Sequence, residues 1–537
     1  MSVDIRCVAT AGILAFLPVV ALAATGDQRL ADAVERRDAP AIRTLLKSRA
    51  DVNGLQADGG TALHWAAHWD DAETAGLLLR AGADVNAAND HGVTALALAC
   101  ENGNAAMVET FLSAGANANA AVSSGETVLM TAARTGNVGT VRALIARGAN
   151  VNARERSHAQ TALMWAASHG HADAAKALLE AGAEVTARSE VRSRMVHTGF
   201  RFGDRGNEKG SLLMDLGGFT PLLFAVNHGS VDTAKVLLAA GAKATELAAN
   251  GASAMALAAL AGRGAMAAFL LEQGGDPNAA GAGYTPLHAA VLHGDTALAK
   301  ALLAKGADPN ARLTKGTPSR YYSKDYAFNE ALIGGSPLYL AARYGDPAMV
   351  RLLGGAGADP HALVPDGTTA RVLGAGPEPQ AAPPGSTLLI AAVSANGGFG
   401  LGDRREFYMS PADVVAKVQG EDERVTLATL KALLELGCDV NGANQAGDTA
   451  LHVASGAGLA SVVQLLADKG AGLEAKNKRG LTPLAVAIAP RARGPFAPTG
   501  PDTRVPVAAL LRKLGAQEPP PLPAEPAAVD PRYRPAQ

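Results

Sequence analysis

Aromatic residues are scarce, at 4% of a 537-residue chain. Side chains of that size supply much of the burial in a deep core. Their scarcity suits thin layers of helices faced with small residues. Cysteine is scarcer still, at three residues, with no Cys-x-x-Cys pair to hold zinc or run redox chemistry. His-Glu-x-x-His and Gly-x-Ser-x-Gly are both missing, which removes the metalloprotease and nucleophile-elbow signatures. Gly206–Ser211 (GNEKGS) carries the glycines and lysine of a phosphate loop at the wrong spacing. Asp90–His91 lies on a turn with no third group to orient it. From these residues we read no catalytic group, no metal site and no cofactor. Charge of one sign is also lacking: the formal net charge is −2, which gives no global pull toward nucleic acid or an acidic membrane. The N-terminal apolar run, Cys7–Val20, is short of the roughly 20 residues a membrane span needs.

Alanine and glycine are abundant, and they fall in a repeating unit of 33 residues, best seen in Gly60–Gly92. Ala62, Leu63, Ala66 and Ala67 recur at helical spacing and mark the buried face of a first short helix. Thr61 stands where a hydroxyl can cap free N–H groups. Sister copies place Pro221, Pro286, Pro337 or Pro483 at the first helical position. Ala75 and Leu77–Leu79 face a second helix, which Gly82 ends. Asp84-Val85-Asn86 leaves in an extended line, and Asn89–Gly92 turns into the next copy.

Thr61-x-Leu63-His64, the Leu77–Leu79 run and Gly82–Asn86 resemble the ankyrin-repeat family in motif and period. The resemblance runs from about Asp27 to about Gln517. It implies an all-α repeat solenoid of stacked helix-turn-helix units with hairpin fingers, serving as an interaction surface rather than as a catalyst. Such a chain grows along one axis by adding units.

In chain order, residues 1–23 read as a signal peptide: Arg6, the apolar run, then Ala21-Leu22-Ala23 as a small-x-small cleavage site. Cleavage after Ala23 implies a periplasmic or secreted product with no membrane span. Residues 24–59 form a charged capping unit. Repeats fill 60–367, with finger insertions near 187–217 and 312–335. A Pro/Gly connector occupies 368–384, and repeats resume over 385–517 with insertions between helices near 396–424 and 490–506. The proline-rich segment 518–537 reads as a disordered tail. Cys100 and Cys438 occupy small-residue positions about seven units apart, and units stack ~10 Å apart, so a disulfide between them is out of reach. Leu77, Leu178, Leu237, Leu302 and Leu465 are read as equivalent buried positions of the second helices.

Long loops on a rigid scaffold carry function more often than structure. Three of the eight tyrosines, Tyr321, Tyr322 and Tyr326, crowd one finger with Phe328, a composition favoured in contact patches. The same rings could instead staple the finger to its neighbour. The earlier finger, from Arg188 to Lys209, is rich in arginine and suits an acidic partner or simply a solvated loop. The groove is lined by the residues that end each first helix, and from these Trp69, His169, His228, His293, Arg343 and Tyr344 are singled out. Histidines ~10 Å apart cannot share one ion at about 2 Å, so a metal is rejected there. His64, His288 and His452 are read as structural. The expected function is a monomeric scaffold that holds a protein partner in groove and fingers. The alternative is an enzyme, or its accessory subunit, with a pocket built by insertion residues such as Arg320 and Asp325 around His293.

Overall fold

The computed structural model describes residues 27–197, 211–317, 328, 332–363, 385–394, 411–489 and 502–520, with backbone alone at 196–197, 211–212 and 411–422. The expected signal peptide, the 368–384 connector and the tail beyond 520 lie outside these residues. Among the described residues there are 24 α-helices and a single two-stranded sheet, giving an all-α repeat solenoid.

The chain divides into two compact units, Met1–Ser157 with Glu180–Ala183, and His158–Leu179 with Glu184–Gln537. In the first, Arg29–Glu35 is followed by Ala62–His68, Ala95–Asn102 and Val128–Thr135, each first helix packing on the next. In the second, Ala162–Ser168, Pro221–His228, Ala254–Leu260, Pro286–His293, Pro337–Arg343, Leu388–Ser394, Ala450–Ala457 and Pro483–Ile488 follow in the same way. Each is paired with a second helix, for example Ala72–Arg80 or Thr296–Ala304.

The elements form where capping chemistry and periodicity agree. First helices start at a hydroxyl: the Thr94 Oγ1 accepts from the Ala97 N–H at 3.2 Å, and Thr220, Ser253 and Thr482 repeat the bond. Several second helices start at Asp or Asn, among them those capped by Asp38, Asn104, Asn137, Asp295 and Asp346, and that at Asp71, whose carboxylate accepts from the Thr74 N–H at 3.0 Å. While Pro483–Ile488 ends at Ala489 with φ −57°, most first helices end at a left-handed residue, such as Gly103 at φ 69° and Gly136 at φ 74°. Asp70 takes that place at φ 56°, where Asn104 donates to its carboxylate at 2.7 Å; aspartate tolerates this conformation better than most residues.

The core is thin. Ala66, Ala67 and Leu78 are fully buried, as are Leu178, Leu237 and Leu302. Two of the expected equivalents are displaced by one residue. Leu77 and Leu465 are half-buried, and Leu78 and Leu466 fill the core instead. The register counts back four residues from the closing glycine, as Leu302 does from Gly306, which selects Leu78 and Leu466.

The Asp84-Val85-Asn86 segment, expected to run extended, is a turn closed by the Ala87 N–H on the Asp84 carbonyl (3.2 Å), and the asparagine of each such segment has its own bonds. The Asn53 amide donates to the Gly82 carbonyl (3.2 Å) and its oxygen accepts from the Asp84 N–H (2.7 Å). Asn86 and Asn119 repeat this pair to the next turn, as do Asn278, Asn310 and Asn441 in the second unit. These asparagines satisfy helix-end carbonyls that would otherwise lack a partner.

Two insertions differ from expectation. The insertion expected near 396–424 ends in helix: the second helix spans Pro411–Glu435, so 411–424 is helix rather than insertion. Pro411 suits a first helical position, and the residues after it are mostly good helix formers. The final helix begins at Arg504, inside the insertion expected near 490–506, with the Asp502 carboxylate accepting its N–H. The first finger insertion folds as a hairpin: β1, Val191–His197, pairs antiparallel with β2, Ser211–Gly217.

Candidate partner-binding surface

The histidines of the Thr-x-Leu-His motif are structural. The His64 Nδ1 accepts from the Thr61 N–H (3.1 Å), and its Nε2 bonds the Val93 carbonyl one repeat later (2.9 Å). His288 reaches Gly335 and His452 reaches Leu481 in the same way. Burial holds all three below the usual imidazole range, His288 at about 4. Burial also pushes the thiols of Cys100 and Cys438 up to about 12, so neither is a ready nucleophile.

Trp69 ends the helix Ala62–His68 and is 40% exposed. Its Nε1–H donates to the Glu35 carbonyl (3.1 Å), and its ring stacks on Trp65 with centroids 6.2 Å apart. His68 meets it edge-on at 4.7 Å, and the Arg37 guanidinium lies 5.8 Å from its centroid. Trp65 is itself held, donating to Gln56 at 2.5 Å. The result is an oriented, half-open aromatic cluster. Further along the same compact unit Glu101 pairs with Arg134 (3.6 Å), and Asn102 donates to the Ala67 carbonyl (2.8 Å). The Glu126 carboxyl bonds the Thr131 hydroxyl (3.0 Å) and is raised above its usual range, mainly by burial.

In the second compact unit the three groove histidines are engaged separately. The His169 Nδ1 bonds the Trp165 carbonyl (3.0 Å), and its ring stacks on His171 at 6.1 Å. The His293 Nε2 bonds the Leu260 carbonyl (2.8 Å). The exposed His228 ring covers Gly170, where a Cβ would lie only 2.7 Å from it.

Two expected contact residues are buried. Arg343 is 8% exposed, with its Nε and Nη1 buried, so it does not line an open groove. Tyr344, beside it at the end of the helix, is half-buried. Phe328 is fully buried rather than displayed. Its ring meets Tyr284 at 5.4 Å and His288 edge-on at 6.3 Å, and its N–H donates to the Thr317 hydroxyl (2.7 Å). A ring that large is stabilised by leaving water, and the small core behind the finger has room for it; Phe328 is a staple. Tyr321, Tyr322 and Tyr326 lie outside the described residues, as do Arg320 and Asp325. The asparagine ladder and the exposed apolar face of the hairpin were not foreseen. The Gly-Ala-x-Val-Asn repeats signalled the first, and the alternation of Val191, Ser193 and Met195 the second.

No helix among the described residues is long and apolar enough to cross a membrane. No curated protein matches the chain. A family model described as ankyrin repeats (3 copies) matches residues 30–122, 115–189, 205–280, 222–313 and 282–363, and one described as ankyrin repeats (many copies) matches 433–487. Proteins of this kind generally mediate protein–protein interaction and are generally not catalysts. With its helix pairs in place and more than half its length matched, the chain belongs to the ankyrin-repeat family.

Proposed function

We propose that this protein is a non-catalytic, exported scaffold that holds a protein partner against the ends of its first helices and its fingers. One observation carries the proposal: a tryptophan, Trp69, is 40% exposed yet fixed in orientation by Glu35, Trp65, His68 and Arg37. Tryptophan is the residue type most enriched among interface hot spots, and a pre-oriented ring loses little freedom on binding. His169 and His228 offer exposed polar edges, and Tyr321, Tyr322 and Tyr326 belong to the proposed contact set. The partner is identified by pull-down from periplasmic extract with mass spectrometry. Trp69→Ala should then weaken binding about thirtyfold or more, with the melting temperature nearly unchanged. Full-strength binding by a normally melting Trp69→Ala protein would refute the assignment.

A further inference from the structure

The β1–β2 hairpin has a chemistry of its own. Its register pairs Val191 with Gly217, Ser193 with Asp215 and Met195 with Leu213. Side chains alternate across a strand, so these pairs share one face, while Arg192, Arg194, Met214 and Leu216 share the other. On the first face Val191, Met195 and Leu213 are 51%, 62% and 63% exposed. Met195 and Leu213 stand directly opposite each other, an apolar cross-strand pair in the open. Leu247 of the next finger, whose carbonyl accepts from Arg188 (2.9 Å), is exposed as well. A two-stranded ribbon is marginal in water by itself, and clustered apolar exposure marks a contact surface.

The backbone indicates how that contact is made. At the root of β1 the Ser189 N–H donates inward to Phe219 (2.9 Å), while the Glu190 N–H donates outward to His158 (2.7 Å). The Gly218 N–H donates to the Glu190 carbonyl (3.3 Å), which turns that carbonyl inward, so from there alternation gives the outward N–H groups to Val191, Ser193 and Met195. Arg192 is already paired with Glu190 (2.7 Å). Arg194 is exposed and makes no ion pair among the described residues. The outer edge of β1 therefore offers backbone hydrogen bonds, one uncommitted positive charge on one face and apolar side chains on the other.

We propose that this edge accepts a strand from a partner, and that the strand alternates acidic and apolar side chains, with an acid opposite Arg194 and apolar groups beside Val191 and Met195. Strand addition draws affinity from the backbone and specificity from alternate side chains. A second copy of β1 fits poorly: antiparallel pairing centred on Arg194 would set two guanidinium groups opposite each other, an unfavourable cross-strand pair. The proposal goes beyond the Trp69 surface and does not depend on it.

The test uses the full chain and two fluorescein-labelled peptides, Val-Glu-Val-Glu-Val-Glu and Val-Lys-Val-Lys-Val-Lys, followed by fluorescence anisotropy at low salt. The acidic peptide should bind about tenfold or more tighter than the basic one. Arg194→Glu should reverse that order, and Arg194→Gln should bring the two close together. Hydrogen exchange at the outward amides of Ser193 and Met195 should slow when the acidic peptide is bound. Equal binding of both peptides, an order unchanged by Arg194→Glu, or Ser193 and Met195 amides that exchange as fast in the complex would each overturn the proposal. A concentration-dependent dimer that excludes both peptides would overturn it in favour of a second copy.

Discussion

Replacing His288 with glutamine should remove most of one acid-sensitive component of stability. The His288 side chain is fully buried. Its Nδ1 accepts from the Thr285 N–H (3.2 Å), so the proton sits on Nε2, which donates to the Gly335 carbonyl (3.3 Å). A second proton would have to enter at Nδ1, against that N–H and without water. Burial is the largest cause holding the imidazole at about 4, and the backbone bonds oppose it only in part. In the unfolded chain the group titrates near 6.5. The folded value is the depressed one, so between these limits the unfolded chain takes up a proton that the native state refuses. The contribution is complete above about pH 6.5, is lost as pH falls through the window, and levels off below about 4. Each pH unit of the window is worth about 1.4 kcal/mol, so the whole window is worth about 3 kcal/mol. Urea unfolding near pH 7 and near pH 4, for wild type and His288→Gln, measures it. The wild type should lose about 3 kcal/mol more than the variant over that interval. Carboxylates, His64 and His452 titrate in both proteins and cancel from the difference. Equal losses would refute the reasoning.

Leu302→Ala removes a fully buried side chain and should cost about 2–5 kcal/mol. Because a solenoid transmits such losses mainly to neighbouring repeats, hydrogen exchange should accelerate around residues 284–357, and uniform acceleration would contradict the expectation. Export, proposed from the N-terminal sequence, predicts that the native protein begins at or near Ala24; Edman sequencing that finds Met1 in a cytosolic fraction would overturn it.

The repeat was legible because each of its parts is a local signal. Threonine before a Leu-His pair, a leucine run and a glycine at fixed offset each state one backbone requirement, and repetition removes the ambiguity of any single copy. The burial of Arg343 and Phe328 was not legible. Position along a repeat places Arg343 at the groove, but its guanidinium is buried. Phe328 reads as part of an aromatic patch with its neighbours, yet it is buried against Tyr284 and His288, which open the same repeat. Such contacts depend on how an insertion folds back onto its own repeat, and no periodicity encodes that. The hairpin was half legible: its length announced a finger, while its strand pairing rests on only seven residues a side.

The two finger insertions share a device at their roots that explains how the stack tolerates them. Arg188 opens the first, and its Nη1 donates to the carbonyls of Gly218 (2.7 Å) and Leu247 (2.9 Å). Arg312 opens the second, and its Nη1 donates to Gly334 (2.9 Å) and Leu363 (2.8 Å). In both cases one guanidinium joins the two ends of the inserted loop and also reaches the next finger. Closing a long loop costs entropy that grows only slowly with length, so once the root is clamped the length beyond it is nearly free to vary. The first clamp falls where the asparagine ladder lapses. Thr186 and Thr245 stand where Asn86 and Asn119 stand in regular repeats, and the Lys243 N–H goes instead to the Glu246 carboxylate (3.2 Å). The arginine thus supplies a tie between repeats in the stretch where the asparagine ties are absent, and it does so at the finger side. A hairpin rooted this way leaves the scaffold at a fixed place, as a docking element requires.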